Sequence, residues 1–203
     1  DSGCLHDRIF VVGGWLGRGP LAADDIHILH VRMCDVDGDG DDGLCCPSSP
    51  SSSSSPLTSS KRQQHAGDDN FRLELEWEQP HISGTPPGPC NMHTADYFES
   101  LRKVLVFRGG DGREYLNDLH ALDVDTLHWT KLEPQRGTPP QPRANHCSVV
   151  IGSRLFVFGG WDGEKRLNDL HVFDTSTLVW SSPVTYGEPP LPRAGMTLCS
   201  VRN

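Results

Sequence analysis

Apolar positions along this chain fall in short runs, each closed by a turn former, and turn formers recur too often for long helices or a coiled coil. Within residues 145–180 the runs 145–151, 154–158, 169–174 and 178–180 are rich in β-formers and separated by turn signals. They predict one four-stranded sheet. The same order of blocks recurs upstream. Arg154-Leu-Phe-Val-Phe-Gly-Gly160 is echoed by Val104-Leu-Val-Phe-Arg-Gly-Gly110 and by Arg8-Ile-Phe-Val-Val-Gly-Gly14. Leu167-Asn-Asp-Leu-His171 matches Leu116-Asn-Asp-Leu-His120, and Asp174-Thr-Ser-Thr-Leu-Val-Trp180 matches Asp123-Val-Asp-Thr-Leu-His-Trp129. A further block, Thr138-Pro-Pro-Gln-Pro-Arg-Ala-Asn-His146, returns as Glu188-Pro-Pro-Leu-Pro-Arg-Ala-Gly-Met196 and in part as Thr85-Pro-Pro-Gly-Pro-Cys-Asn-Met-His93. Gly110 to Gly160 is 50 residues and Trp129 to Trp180 is 51, so the chain repeats at about fifty.

The repeat divides the chain. Residues 1–33 hold strands a to c of a partial first unit, 34–70 an insertion, and 71–90 the end of that unit and a linker. Residues 91–132 form a second unit, 133–181 a third, and 182–203 the first strand of a fourth. Asp123 and Asp174 open tight hairpins, because Asp and Thr side chains bond their own backbone. The pairs Gly13-Gly14, Gly109-Gly110 and Gly159-Gly160 end the second strand of each unit and read as architectural, since glycine reaches backbone conformations closed to residues with a Cβ. Trp77, Trp129 and Trp180 fall on the outermost strand of each unit and read as packing residues.

These blocks resemble the kelch repeat: an apolar strand ending in Gly-Gly, then a spaced aromatic and a Trp, at a period near fifty. The resemblance implies an all-β, kelch-type β-propeller, with each repeat a four-stranded antiparallel blade. About three blades are present where rings close with typically 4–8, so the chain reads as part of a longer array that needs further blades.

Charge is uneven along the chain. The net charge is −9, but residues 1–100 carry 6 Lys/Arg against 16 Asp/Glu, while residues 101–203 carry 12 against 11. Net acidity argues against a nucleic-acid partner, which requires a cationic face. No run approaches the ~20 apolar residues that a membrane-spanning helix needs. Much of the acidity lies in residues 34–70, where acidic, Ser-rich and Gln-rich stretches offer almost nothing to bury, and that segment reads as disordered. Seven cysteines with no C-x-x-C spacing suggest neither a disulfide framework nor a zinc module and favour a cytoplasmic location.

Several motifs invite chemistry, and the repeat answers most of them. Asp35-Val-Asp-Gly-Asp-Gly40 resembles the start of a calcium loop, but Cys46 stands where the bidentate Glu belongs, so a solvated acidic run is the better reading. His27, His120 and His171 share one repeat position and His93 and His146 another, which points to packing rather than a metal site. Arg143, Arg193, Asp118 and Asp169 also recur and read as structural. No cofactor is called for.

Residues that break the repeat are free of that packing duty. Between the glycines and the Leu-Asn-Asp block lie Trp15 and Arg18 in the first unit, and Asp111, Arg113, Glu114 and Tyr115 in the second. The third has Trp161, Asp162, Glu164, Lys165 and Arg166. In an up-and-down blade these b–c loops share one face, which makes them the candidate surface for a protein partner. The expected function is a noncatalytic interaction scaffold. The resemblance also extends to kelch-type copper oxidases and metal-assisted specifier proteins. Such an oxidase needs Tyr and His ligands with a Cys–Tyr crosslink, and neither Tyr97, Tyr115 nor Tyr186 joins His or Cys in a recognisable arrangement.

Overall fold

The computed structural model describes residues 4–21, 25–35 and 71–201. The chain groups into two compact units, Asp1–Ile9 with Ile28–Glu78, and Phe10–His27 with Gln79–Asn203. Among the described residues three sheets, antiparallel except for one short parallel pair in the second, make an all-β architecture. The first contains β1 (Cys4–Val12), β2 (Ile26–Asp35) and β3 (Phe71–Glu78), in the order β1-β2-β3. The second begins with a two-residue strand β4 (Ser83–Gly84), followed by β5 (Thr94–Phe98), β6 (Lys103–Phe107), β7 (Leu119–Asp123) and β8 (His128–Leu132). The third holds β9 (Cys147–Ile151), β10 (Arg154–Trp161), β11 (Arg166–Asp174) and β12 (Val179–Ser181). A short 3₁₀ turn, Glu99–Leu101, links β5 to β6.

The hairpin turns form where the sequence places Asp. The Asp123 carboxylate accepts the backbone N–H groups of Asp125 and Thr126, and that of Asp174 accepts those of Ser176 and Thr177. Each turn therefore closes with its own acceptor. The core lies between the second and third sheets. Phe98, Leu105, Phe107, Leu119 and Ala121 from one meet Leu155, Val157, Phe173 and Trp180 from the other. The Trp180 ring sits 5.0 Å from Phe173 and 5.7 Å from Phe107. Val104, Val106, Leu122 and Trp129 on the other face of the second sheet are buried too. A strand buried on both faces reads as a continuous apolar run, as Lys103–Phe107 does.

A feature absent from the sequence reading holds the outer edges. Ser83-Gly84 runs parallel beside His128-Trp129, and Arg136 makes the same parallel bridge to Val179. The linker entering the second sheet and that entering the third thus each clip along the outermost strand. Gly84 (φ +85°) and Gly137 (φ +81°) sit where an added Cβ would collide with the carbonyl oxygens of Trp129 and Trp180. Gly84→Ala and Gly137→Ala are expected to cost at least about 1–3 kcal/mol each. Gly152→Ala, at a positive φ but facing open space, should cost less. Urea unfolding of the three variants checks this, and equal losses would contradict the clip.

Four sequence expectations are corrected. First, Cys4–Val12 is one continuous strand, so the first sheet lacks an inner strand a among the described residues. The third sheet turns between its first two strands at Gly152 (φ +60°), whereas the matching stretch of the first, His6-Asp7, has no glycine and runs straight on. Second, Cys34 and Asp35 belong to β2, so the insertion starts later than residue 34. The rest of it, with the calcium-like run, lies outside the described residues. Third, residues 182–201 form no strand; among them only Arg193 bridges, to Leu167. Fourth, Trp77 is 60% exposed while Trp180 is 2% exposed. The two hold equivalent places, Leu29↔Trp77 matching Phe173↔Trp180, but Trp180 has a neighbouring sheet to pack on.

Candidate functional site

The site is built on the loops that follow the glycines, and the register there differs from the sequence alignment. Asn91 bridges Gly110 as Ala144 bridges Trp161. Gly110 is therefore the counterpart of Trp161, Gly109 of Gly160, and Arg108 of Gly159. The pair Gly109-Gly110 is not equivalent to Gly159-Gly160. Position 159 is glycine for a reason visible in the third sheet: a Cβ on it would crowd the Arg193 and Leu167 carbonyl oxygens at 2.9 and 3.0 Å.

This one-residue shift explains how each sheet anchors its loop. Arg143 is fully buried and donates from Nη1 and Nη2 to the Asp169 carboxylate at 2.7 and 2.8 Å. It also donates to the carbonyl oxygens of Gly159 and Gln141, both at 3.0 Å. In the second sheet the Arg143 position is Cys90, and the guanidinium comes instead from Arg108. It reaches the matching Asp118 at 3.1 Å and the Pro89 carbonyl at 3.0 Å. His120 and His171 contact the same carboxylates at 2.8 Å. Burial pushes the Cys90 thiol up to about 11, so it is a packing group. Burial likewise holds His146 down at about 3, and hence neutral.

Desolvation alone would raise the Asp118 and Asp169 carboxyls. Hydrogen bonds and charge from His and Arg outweigh it, holding Asp118 at about 2 and Asp169 well below the usual carboxylate range. Folded values below the unfolded ~3.9 mean that these groups stabilise the fold above pH 4, and that the contribution is lost as pH falls through the folded values. Urea unfolding from pH 5 to pH 2 should show stability falling steeply between about pH 4 and pH 2. A flat profile there would contradict this anchoring.

On these anchors the loops take defined shapes. The Asp111 carboxylate accepts the backbone N–H groups of Arg113 and Glu114 at 2.8 and 2.7 Å, and Asp162 accepts those of Glu164 and Lys165, both at 2.9 Å. These bonds lower both carboxyls. In the first loop, Trp15 bridges Pro20 across a turn that includes Gly17 at φ +55°.

The structure brings some candidates together and separates others. Trp15, Arg18, Asp111 and Arg113 line one cleft of about 430 Å³ with Gly19, Pro20, Pro89 and Gly112. Trp15 is 57% exposed. The side chains of Arg18 and Arg113 have no partner among the described residues. By contrast Arg102, Arg108, Arg143 and Arg154 are each paired with an aspartate. Tyr115 is half-buried, with its ring against Gly163 of the next loop, and does not line the cleft. Trp161 is not a loop residue as expected: it ends β10, half-buried, with the Arg166 guanidinium 5.9 Å over its ring. Glu114, Glu164, Lys165 and Arg166 are exposed around these loops. Sequence reasoning missed Pro20 and Pro89; Pro89 belongs to the repeated Pro-rich block, which carried no site signal of its own.

Comparison with known proteins agrees with this geometry. Residues 61–203 match the model of the KLHDC2/KLHL20/DRC7 Kelch-repeats domain. The chain belongs to the kelch-repeat family. It is 41% identical to human Kelch domain-containing protein 1 over 208 residues, covering 98% of this chain and 45% of that protein. It is 47% identical to the bovine Rab9 effector protein with kelch motifs over 96 residues, or 45% of this chain and 26% of that one. Acyl-CoA-binding domain-containing protein 5 of Arabidopsis thaliana shares 42% over 125 residues, covering 61% of this chain and 19% of that protein. The chain thus spans less than half the length of these relatives. Kelch membership fits a protein-interaction scaffold in general terms.

Proposed function

We propose that this kelch-repeat chain is a noncatalytic protein-binding module whose b–c loop face takes an acidic segment of a partner. The observation that carries the reading is the pair of unpaired guanidiniums, Arg18 and Arg113, in one cleft with the exposed indole of Trp15. Asp111 forms no ion pair with either of them; its Oδ1 accepts from its own loop backbone. Pro20 and Pro89 add rigid apolar surface. Arginine and Trp are the side chains that most often anchor protein interfaces. A guanidinium meets carboxylates through two parallel hydrogen bonds. One relative is named an effector of Rab9, which supports a protein as the class of partner. Glu114, Tyr115, Trp161, Asp162, Glu164, Lys165 and Arg166 form the rest of the proposed face.

Each charge-assisted contact is worth about 1.5–3 kcal/mol, or roughly a tenfold to hundredfold change in affinity. Arg18→Glu and Arg113→Glu are therefore each expected to weaken binding of a hexapeptide library of Asp, Glu and apolar residues at least tenfold. Melting temperature should stay unchanged, since neither side chain holds the fold together. Wild-type affinity should fall with added salt. Equal binding of the matching Asn/Gln library would overturn the reading.

A further inference from the structure

The second and third loops are built alike, down to the bonds that shape them. In each, an aspartate takes two backbone N–H groups on Oδ1: those of Arg113 and Glu114 on Asp111, and those of Glu164 and Lys165 on Asp162. In each, the aspartate N–H donates to the carbonyl three residues on, Glu114 or Lys165. The two part at the other carboxylate oxygen. Asp162 Oδ2 accepts from the Gln141 side chain, whose Nε2 donates at 2.8 Å. Asp111 Oδ2 has no partner among the described residues.

One substitution accounts for the difference. The Pro-rich block reads Pro139-Pro140-Gln141-Pro142 before the third sheet and Pro86-Pro87-Gly88-Pro89 before the second. Gly88 therefore stands where Gln141 does, and no side chain crosses from it to Asp111. There is room for one: within 4 Å, a Cβ on Gly88 would meet only Arg108 Nη2, at 3.4 Å. Pro89, next to Gly88, and Asp111 both line the cleft that holds Trp15, Arg18 and Arg113. The cleft is thus the opening that the Gln141 side chain fills at the next loop.

We propose that the partner segment bound in this cleft carries a glutamine, whose carboxamide donates to Asp111 Oδ2 as Gln141 donates to Asp162. This rests on the acidic-segment reading above and adds the one uncharged polar residue among the carboxylates. Arg18 and Arg113 attract carboxylates, but a carboxylate set against Asp111 would meet like charge, which selects against it there. The Glu114 and Arg113 N–H groups lower the Asp111 carboxyl, which keeps it ionised and an acceptor only. A carboxamide supplies N–H donors to such an oxygen and carries no charge to be repelled. A hydrogen bond to an ionised acceptor at an exposed site is worth about tenfold in affinity.

The test uses the full chain and two hexapeptide libraries of Asp, Glu and apolar residues. They are identical except that the third position is fixed as Gln in one and as Met, similar in size and uncharged, in the other. Wild type should bind the Gln library about tenfold more tightly. Gly88→Gln should seat its own carboxamide on Asp111 and abolish that preference without lowering the melting temperature. Gly88→Ala, which adds a Cβ but no donor, should keep the preference. Equal binding of both libraries by the wild type would overturn the glutamine and leave the acidic-segment reading standing, because the two carry the same carboxylates. Binding of neither would overturn that reading and the glutamine with it. A preference that survives Gly88→Gln in a chain melting as the wild type does, or that is lost in Gly88→Ala, would overturn the assignment to Asp111.

Discussion

Arg143→Ala is expected to lower the unfolding free energy by about 3 kcal/mol, a large share of the 5–15 kcal/mol of an ordinary domain. The guanidinium is fully buried and makes four hydrogen bonds, two to the Asp169 carboxylate and two to the Gly159 and Gln141 carbonyls. Removing it leaves those acceptors unsatisfied, and that desolvation cost dominates the loss. The Asp169 side chain is 40% exposed, so water screens part of the charge and holds the effect at the lower end of the range for buried pairs. The loss should also reach function, because Arg143 ties Gly159 to Asp169 beneath the Trp161–Arg166 loop. Urea unfolding of Arg143→Ala and Asp169→Asn checks the prediction. A change under about 1 kcal/mol in both would mean that the anchor is ornamental.

Trp180→Ala should cost about 3–5 kcal/mol, the usual range for emptying a large aromatic site. Its ring fills the space between the second and third sheets, against Phe107 and Phe173. Trp77→Ala, at the equivalent position of the first sheet, should change stability by no more than about 0.5 kcal/mol, because its side chain already faces solvent. Trp161→Ala should fall between, losing one half-buried ring and its contact with Arg166. Melting curves of the three variants rank them directly. Equal effects at Trp77 and Trp180 would contradict the difference in packing between these sheets.

The repeat made most of the fold legible, because each blade's strands and turns rest on local signals. Asp123 and Asp174 mark their hairpins through bonds to residues two and three positions on, and such bonds depend on no distant partner. The Gly109-Gly110 pair misled for the opposite reason. Lys103 and Arg154, Asp123 and Asp174, and Trp129 and Trp180 are all 51 apart, so the spacing of 50 between Gly110 and Gly160 already signalled the shift to Arg108. Only the paired positions show that Arg108 and Cys90 exchange the roles that Gly159 and Arg143 fill in the next sheet. The parallel clip at Gly84 and Gly137 was hidden within linker sequence, since two-residue pairing leaves no periodicity. At the candidate site, the loops of Trp15, Arg18, Asp111 and Arg113 were legible as departures from the repeat. Their convergence in one cleft was not, because it depends on how neighbouring sheets pack. Trp161 looked like a loop residue because β10 runs three residues past its apolar run, held by the bridge to Ala144.

The most direct measurement of the binding reading is amide hydrogen exchange of the chain with and without a bound acidic hexapeptide from the library. The account predicts added protection at residues 15–20 and 111–115, on the b–c loop face. It predicts no change at the opposite turns, 99–102, 124–127, 152–153 and 175–178. Protection confined to those opposite turns would contradict it.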